Sequence, residues 1–263
     1  MQVNAPLDAL PLWGLFVVIL LVVLVSVECG YRLGKYRRSR HEQEKDAPVG
    51  TMVGATLGLL AFILAFTFGL AAARFDTRRQ VLLDEANAIG TTYLRAGMLP
   101  ERGEQIRQFL RDYVATRLEA VRSGNVAEGI RRSEDIQQQV WTGAEAMAAK
   151  NPNSIVVGLF VQSLNEMIDL HAKRVQAGLR SRIPAPIWLG LFAVASLSPA
   201  AMGYQAGLIG TRRSLAVFAV AVAFSVVIEL IADLDRPQEG VLKVSQHALL
   251  DLQQSMTPPK PPR

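Results

Sequence analysis

The sequence predicts an all-α, polytopic membrane protein with four transmembrane helices and a helical extramembrane domain between the second and third. Three observations carry this reading. Four long runs are nearly free of charge. The stretch between the second and third runs repeats apolar residues at helical spacing. No sustained alternation and no Asn-Gly turn marks a strand there.

The four runs are Leu10–Val27, Gly50–Ala73, Pro184–Thr211 and Ser214–Ile228, the last reaching Leu234 if it continues past Glu229. About 20 apolar residues at about 1.5 Å each cross the hydrocarbon core. Core helices of soluble proteins carry charge on one face, and these do not. The first run has no basic residue before it and no small-residue cleavage pattern after it, so it reads as a retained helix. Cys29 is the only cysteine, which excludes an internal disulfide. Glu28 before it does not suit a lipoprotein cleavage site.

These runs divide the chain into residues 1–73 with helices one and two, 74–183 as the extramembrane domain, 184–236 with helices three and four, and 237–263 as an amphipathic segment and a tail. The charged stretch Glu28–Ala47 links the first two helices. Pro48 opens the second, and no further proline occurs until Pro100. Leu82, Ala86, Ile89 and Tyr93 keep the helical period past Arg74, so helix two continues beyond the membrane, with a break near Gly90 or Gly97.

In the next helix Ile106, Leu110, Tyr113, Arg117 and Val121 form a stripe that stops at Ser123–Gly124. A third segment, Ser133–Lys150, carries Ile136, Val140, Ala144 and Met147. After the turn Asn151–Pro152–Asn153, Ser154 caps a helix with Val157, Val161, Leu164, Ile168, His171 and Val175 on one side. Beyond Pro237, Ser245 is a candidate cap for a segment with Leu249, Leu250 and Leu252. The proline-rich tail Thr257–Arg263 reads as disordered.

Four crossings put both termini and the middle domain on one side of the membrane. Six basic residues follow helix one and none precedes it, which favours an external middle domain. The net charge of +5 fits topology and lipid headgroups. Within Arg74–Arg182, 16 basic residues mix with 13 acidic ones, an ordinary solvated surface rather than a nucleic-acid stripe. His41, His171 and His247 have no metal-ligand spacing. Phosphate-binding glycine loops and G-x-S-x-G are absent. The sequence therefore points to no enzyme, metal or cofactor.

Helix two is the most informative segment. Gly50, Gly54, Gly58, Ala61, Ala65, Gly69 and Ala72 share one face, where small residues allow helices to approach closely. Phe62 and Phe66 lie one turn apart along its edge, and Leu70 continues their line. They are either packed or lipid-facing rings, or an apolar constriction in a symmetric oligomer.

Glu229 is the ionisable residue inside an apolar run, with Asp233 one turn on. It is expected to face a partner, and Arg74 or Arg78 is the candidate. Arg74, Asp76, Arg78 and Arg79, then Asp84, Glu85 and Asn87, can pair along helix two or be answered by Asn165, Glu166 and Asp169. With Asp235 and Arg236 they form a candidate charge network.

Several blocks together resemble a known family. They are Gly58-Leu-Leu-Ala-Phe-Ile-Leu-Ala-Phe-Thr-Phe-Gly69, Arg74-Phe-Asp-Thr-Arg-Arg79, Glu85-Ala-Asn-Ala-Ile-Gly-Thr-Thr-Tyr-Leu-Arg95, Asn165-Glu-Met-Ile-Asp-Leu-His171, Asp233-Leu-Asp-Arg-Pro237 and Val244-Ser-Gln246. They are similar to the bacterial bestrophin-like membrane proteins, distantly related to bestrophin anion channels. The resemblance implies a homo-oligomer, pentameric by analogy, in the inner membrane. It also implies a neck at Phe62, Phe66 and Leu70 and a cytoplasmic middle domain, against the charge count. The aromatic-rich motif after the bestrophin neck is replaced here by Arg74-Phe75-Asp76, and no acidic calcium clasp is visible. The expected function is passage of small ions, anions by resemblance. The alternative is a non-conducting scaffold or sensor whose helical domain binds a partner.

Overall fold

The structure is a computed structural model that describes residues 10–40, 49–210, 215–236 and 240–257. Among these the chain is helical, without strands: α1 Leu12–Arg40, α2 Val49–Ala96, α3 Gly103–Ser123, α4 Val126–Lys150, α5 Ile155–Val175, a π-helical turn Gln176–Arg180, α6 Ala185–Ile209, α7 Leu215–Asp235 and α8 His247–Ser255. Residues 258–263, most of the tail read as disordered, lie outside the described residues. The chain forms two compact units, divided near residues 75, 181 and 242.

The first unit holds α1, the start of α2, α6 and α7. Helices long and apolar enough to cross a membrane are found at α1, α2, the Ile155–Ile209 stretch that contains α6, and Val217–Asp235. The core of this unit combines Leu15, Ile19 and Val23 with Leu60, Leu64, Leu191, Ala195, Ile228 and Ile231.

The close seam is between α1 and α6. A Cβ at Gly30 would overlap the carbonyl oxygen of Ala200, and one at Gly34 that of Tyr204. From the other side, a Cβ at Gly203 or Gly207 would overlap the carbonyls of Val27 and Tyr31. Two pairs of glycines four residues apart therefore bring backbone against backbone, the packing that lipid favours.

This seam also lengthens α1. The sequence reading ends it near Val27, whereas the helix continues to Arg40. The stretch contains no proline, its Arg and Lys are good helix formers, and Glu28 pairs with Arg32 one turn on at 2.7 Å.

The second unit holds the far part of α2, then α3, α4, α5, the π turn and α8. Its core joins Ile89, Leu110, Tyr113, Val140, Phe160, Leu164, Met167 and Leu249. α4 begins at Val126 rather than Ser133, because the Asn125 side chain accepts from the Glu128 N–H and caps it. Ser154 caps α5 as the sequence indicates, accepting from the Val157 N–H.

α2 does not break at Gly90 and runs on to Ala96. At about 1.5 Å per residue, its 48 residues span about 72 Å, more than twice a hydrocarbon core. Ser245 is not the helix cap of α8; that position is Gln246, although the Ser245 hydroxyl accepts from the His247 N–H at 3.3 Å. Leu249 is fully buried, and the Tyr93 hydroxyl donates to the Met256 carbonyl at 3.0 Å.

Candidate functional site

The membrane part of α2 has two unlike faces. Val53, Leu60, Leu64, Thr67 and Ala71 recur at steps of seven, four, three and four, and all are buried. Thr67 spends its hydroxyl on the Ile63 carbonyl at 2.7 Å, so no polar group is left open in the packed face. Ser198 of α6 donates to the Thr56 carbonyl at 3.0 Å and ties the two helices.

The opposite face is bare. Gly54, Gly58, Ala61, Ala65 and Gly69 are exposed, and among the described residues nothing approaches within 4 Å of a Cβ at any of the three glycines. Gly50 differs, since Gln205 Nε2 comes within 2.8 Å of such a Cβ. Phe62 and Phe66 are 69% and 65% exposed, and Leu70 is half-buried. Leu59 and Phe68 are exposed as well, so outward apolar side chains are not confined to the Phe62–Phe66 line.

The candidate charges separate into two groups. In the membrane unit Arg74 and Glu229 are half-buried, while Asp233, Asp235 and Arg236 are buried. Asp233 accepts from the backbone N–H groups of Val241 and Leu242, at 3.0 and 3.2 Å. Asp235 accepts from the Ile183 N–H at 2.9 Å and lies 3.3 Å from Arg182 Nε. Both carboxylates thus hold chain turns at the ends of spans. The expected pair of Glu229 with an arginine is a correction: among the described residues Glu229 makes no hydrogen bond or ion pair, and the nearby charge acting on it is Asp233.

In the second unit Arg78 is buried, whereas Asp76, Arg79, Asn87, Asn165 and Asp169 are exposed. Asn165 and Asp169 do not answer the arginines of α2. His171 and Arg174, on the same helix, meet Glu85 instead.

Glu85 is the centre of a buried polar cluster. Its Oε1 accepts from the Tyr113 hydroxyl at 2.9 Å. Its Oε2 takes Arg174 Nη1 at 2.6 Å and Arg117 Nη2 at 3.5 Å. His171 Nδ1 lies 2.8 Å from the Tyr113 oxygen, and Gln137 Nε2 donates to that oxygen at 3.3 Å. Arg174 Nη2 donates to Gln246 Oε1 at 3.0 Å. Thus α2, α3, α4, α5 and the cap of α8 each supply a side chain.

The proton order follows from valence. Tyr113 donates to the carboxylate and accepts from Gln137, so its remaining lone pair suits a His171 with the proton on Nδ1. Burial alone would raise the Glu85 pKa. His171, 3.7 Å away, and the charges of Arg117 and Arg174 more than offset this and hold it below the usual carboxylate range. Burial, then Glu85, pushes the Tyr113 phenol well above its ordinary value. Glu85 is therefore an anion and Tyr113 a fixed donor. Arg117 Nε and His171 Nε2 are buried without a partner among the described residues.

Sequence reasoning named Glu85 but not its partners. The available signal was Arg117 on the stripe of α3 and His171 on that of α5, polar side chains on faces otherwise committed to a core.

A family model of the Bestrophin-like domain matches residues 19–249. The chain belongs to the bestrophin-like family. Solved bestrophin-like structures share its fold. Two variants of a bacterial bestrophin homologue from Klebsiella pneumoniae align with TM-scores of 0.66 and 0.67 at 15% and 13% identity, each covering 90% of this chain and 97% of the other. A further crystal structure of a membrane protein aligns with a TM-score of 0.66 at 14% identity over the same shares. No curated protein sequence matches. The all-helical membrane architecture read from the sequence is thus that of bestrophin homologues.

Proposed function

We propose that this bestrophin-like protein is a homo-oligomeric channel of the bacterial inner membrane that passes small anions along an axis lined by α2. The observation that carries the reading is the asymmetry of α2: one face is sealed against its own chain, and the other leaves small residues and two phenylalanines uncovered among the described residues. In a ring of copies the glycines and alanines let neighbouring backbones approach, and one Phe62 and one Phe66 per copy form two apolar rings about 6 Å apart in height. Such rings restrict passage by excluding water rather than by charge. The anion preference and a pentameric count rest on the family.

Exposed Leu59 and Phe68 favour the rival reading, in which the same face meets lipid or a partner protein and nothing is conducted. Purified protein in liposomes, with chloride and potassium flux compared, tests the proposal. Chloride flux above that of empty vesicles supports it. An intact oligomer without flux of either ion overturns it in favour of the scaffold.

A further inference from the structure

The end of α1 carries a feature that ion passage does not use. α1 is 29 residues long, about 44 Å, against a hydrocarbon core of about 30 Å. Its apolar part ends near Val27. Beyond it, Glu28–Arg40 holds Arg32, Lys35, Arg37, Arg38 and Arg40 against Glu28, five positive charges less one negative, a net +4.

The seam with α6 fixes which way these charges face. Gly30 and Gly34 are pressed against the backbone of α6, so positions about half a turn away point outward. Successive residues are about 100° apart, which places Arg32, Lys35 and Tyr36 opposite the seam, with Leu33 and Arg40 flanking them. Arg38 sits on the seam side and donates to the Ile209 carbonyl at 3.2 Å, the end of α6.

The outward residues are not a plain solvated charge run. Leu33 and Tyr36 are 58% and 52% exposed among them, and the Arg40 guanidinium lies over the Tyr36 ring at 4.6 Å. Arg32 pairs with Glu28 yet remains largely in the open, and Lys35 has no hydrogen bond or ion pair among the described residues. Exposed aliphatic, aromatic and cationic side chains on one helix face, just past an apolar span, match a bilayer interface: rings at headgroup depth and cations at phosphate depth.

We propose that this face binds the phosphates of anionic phospholipid headgroups, with Arg32, Lys35 and Arg40 as the cations and Tyr36 seated between them. Each cation near an anionic surface strengthens binding about fivefold, so three give on the order of 100-fold over a zwitterionic lipid.

The test uses the full chain in detergent, with phosphatidylglycerol or phosphatidylcholine added and thermal unfolding followed. Phosphatidylglycerol should raise Tm above phosphatidylcholine. Arg32→Gln, Lys35→Gln and Arg40→Gln together should remove more than half of that difference, and Arg32→Lys with Arg40→Lys should keep it. In the wild type the difference should vanish at about 1 M salt, where the screening length falls to about 3 Å, a check that holds even if the triple variant does not fold. Inorganic phosphate alone should have no effect. Equal Tm in the two lipids, a preference that survives the triple substitution or high salt, or a full effect of free phosphate overturns the proposal. So does a triple variant whose only change is in oligomer mass, which assigns the face to a second copy.

Discussion

Arg174 Nη1 stands 2.6 Å from Glu85 Oε2, with the carboxylate fully buried and the guanidinium half-buried. The same guanidinium reaches Gln246 with its other nitrogen. One side chain of α5 therefore holds the carboxylate of α2 and the cap of α8 together. Arginine suits this task because its planar fork can serve two acceptors in fixed geometry, which lysine cannot.

Removing one partner of such a buried pair strands the other. Glu85→Gln leaves Arg117 and Arg174 without a counter-charge, and Arg174→Gln leaves the carboxylate with a single weaker ion pair. Each should cost roughly 3–5 kcal/mol. The double variant should be less unstable than the sum of the singles, measured by denaturant or thermal unfolding of the purified protein.

The Glu85 contribution also has a defined pH window. Its folded-state pKa lies below the unfolded value of about 4.3, so the folded state holds fewer protons across that interval. The stabilisation is fully present above about pH 5 and is lost as pH falls through the depressed folded value. The Tm gap between wild type and Glu85→Gln should thus be flat from about pH 5 to 8 and close only in stronger acid. A gap that narrows around neutral pH would count against an ionised Glu85.

Glu229→Gln should behave differently. With Asp233 as its charged neighbour and no cationic partner among the described residues, loss of its charge should leave Tm unchanged or slightly higher. A fall of several degrees would mean that an arginine of another copy holds it.

For the neck, Phe62→Ala with Phe66→Ala should raise ion flux sharply in an oligomer of unchanged mass. Selectivity should shift less than rate, since neither ring carries charge. If the rings instead seal copies together, the assembly should dissociate and no added flux should appear.

Gly240→Ala should be costly for two reasons. The residue has φ +116°, a conformation other residues rarely adopt, and a Cβ there would overlap Asp233 Oδ1. Asp233→Asn should be milder, because the amide oxygen can still accept from Val241 or Leu242. Thermal unfolding of both variants gives the order.

What the sequence made legible was what repeats along one helix. Four uncharged runs specify spans, and Ile106, Leu110 and Tyr113 mark one side of α3 whatever they touch. The bare face of α2 was visible as a row of small residues, though not that its own chain leaves it open. Relations between helices were hidden. Glu85, Tyr113, His171, Arg174 and Gln246 are scattered over three helices and the cap of a fourth, and only folding brings them together. The end of α1 was misplaced for a related reason: charge at the membrane edge was read as a loop, whereas Gly30 and Gly34 against α6 keep it helical.

Where Gly30 and Gly34 of α1 meet Gly203 and Gly207 of α6, backbone lies directly against backbone. A core of leucines can absorb a larger neighbour by turning a rotamer, but a carbonyl oxygen has nowhere to turn. Change at Gly30, Gly34, Gly203 and Gly207 is therefore all-or-none, while Leu15, Ile19, Val23 and Leu191 elsewhere on the two helices can exchange for side chains of like volume with little penalty. The tolerance of α1 and α6 to substitution is thus set position by position, and it falls to nothing at the four glycines.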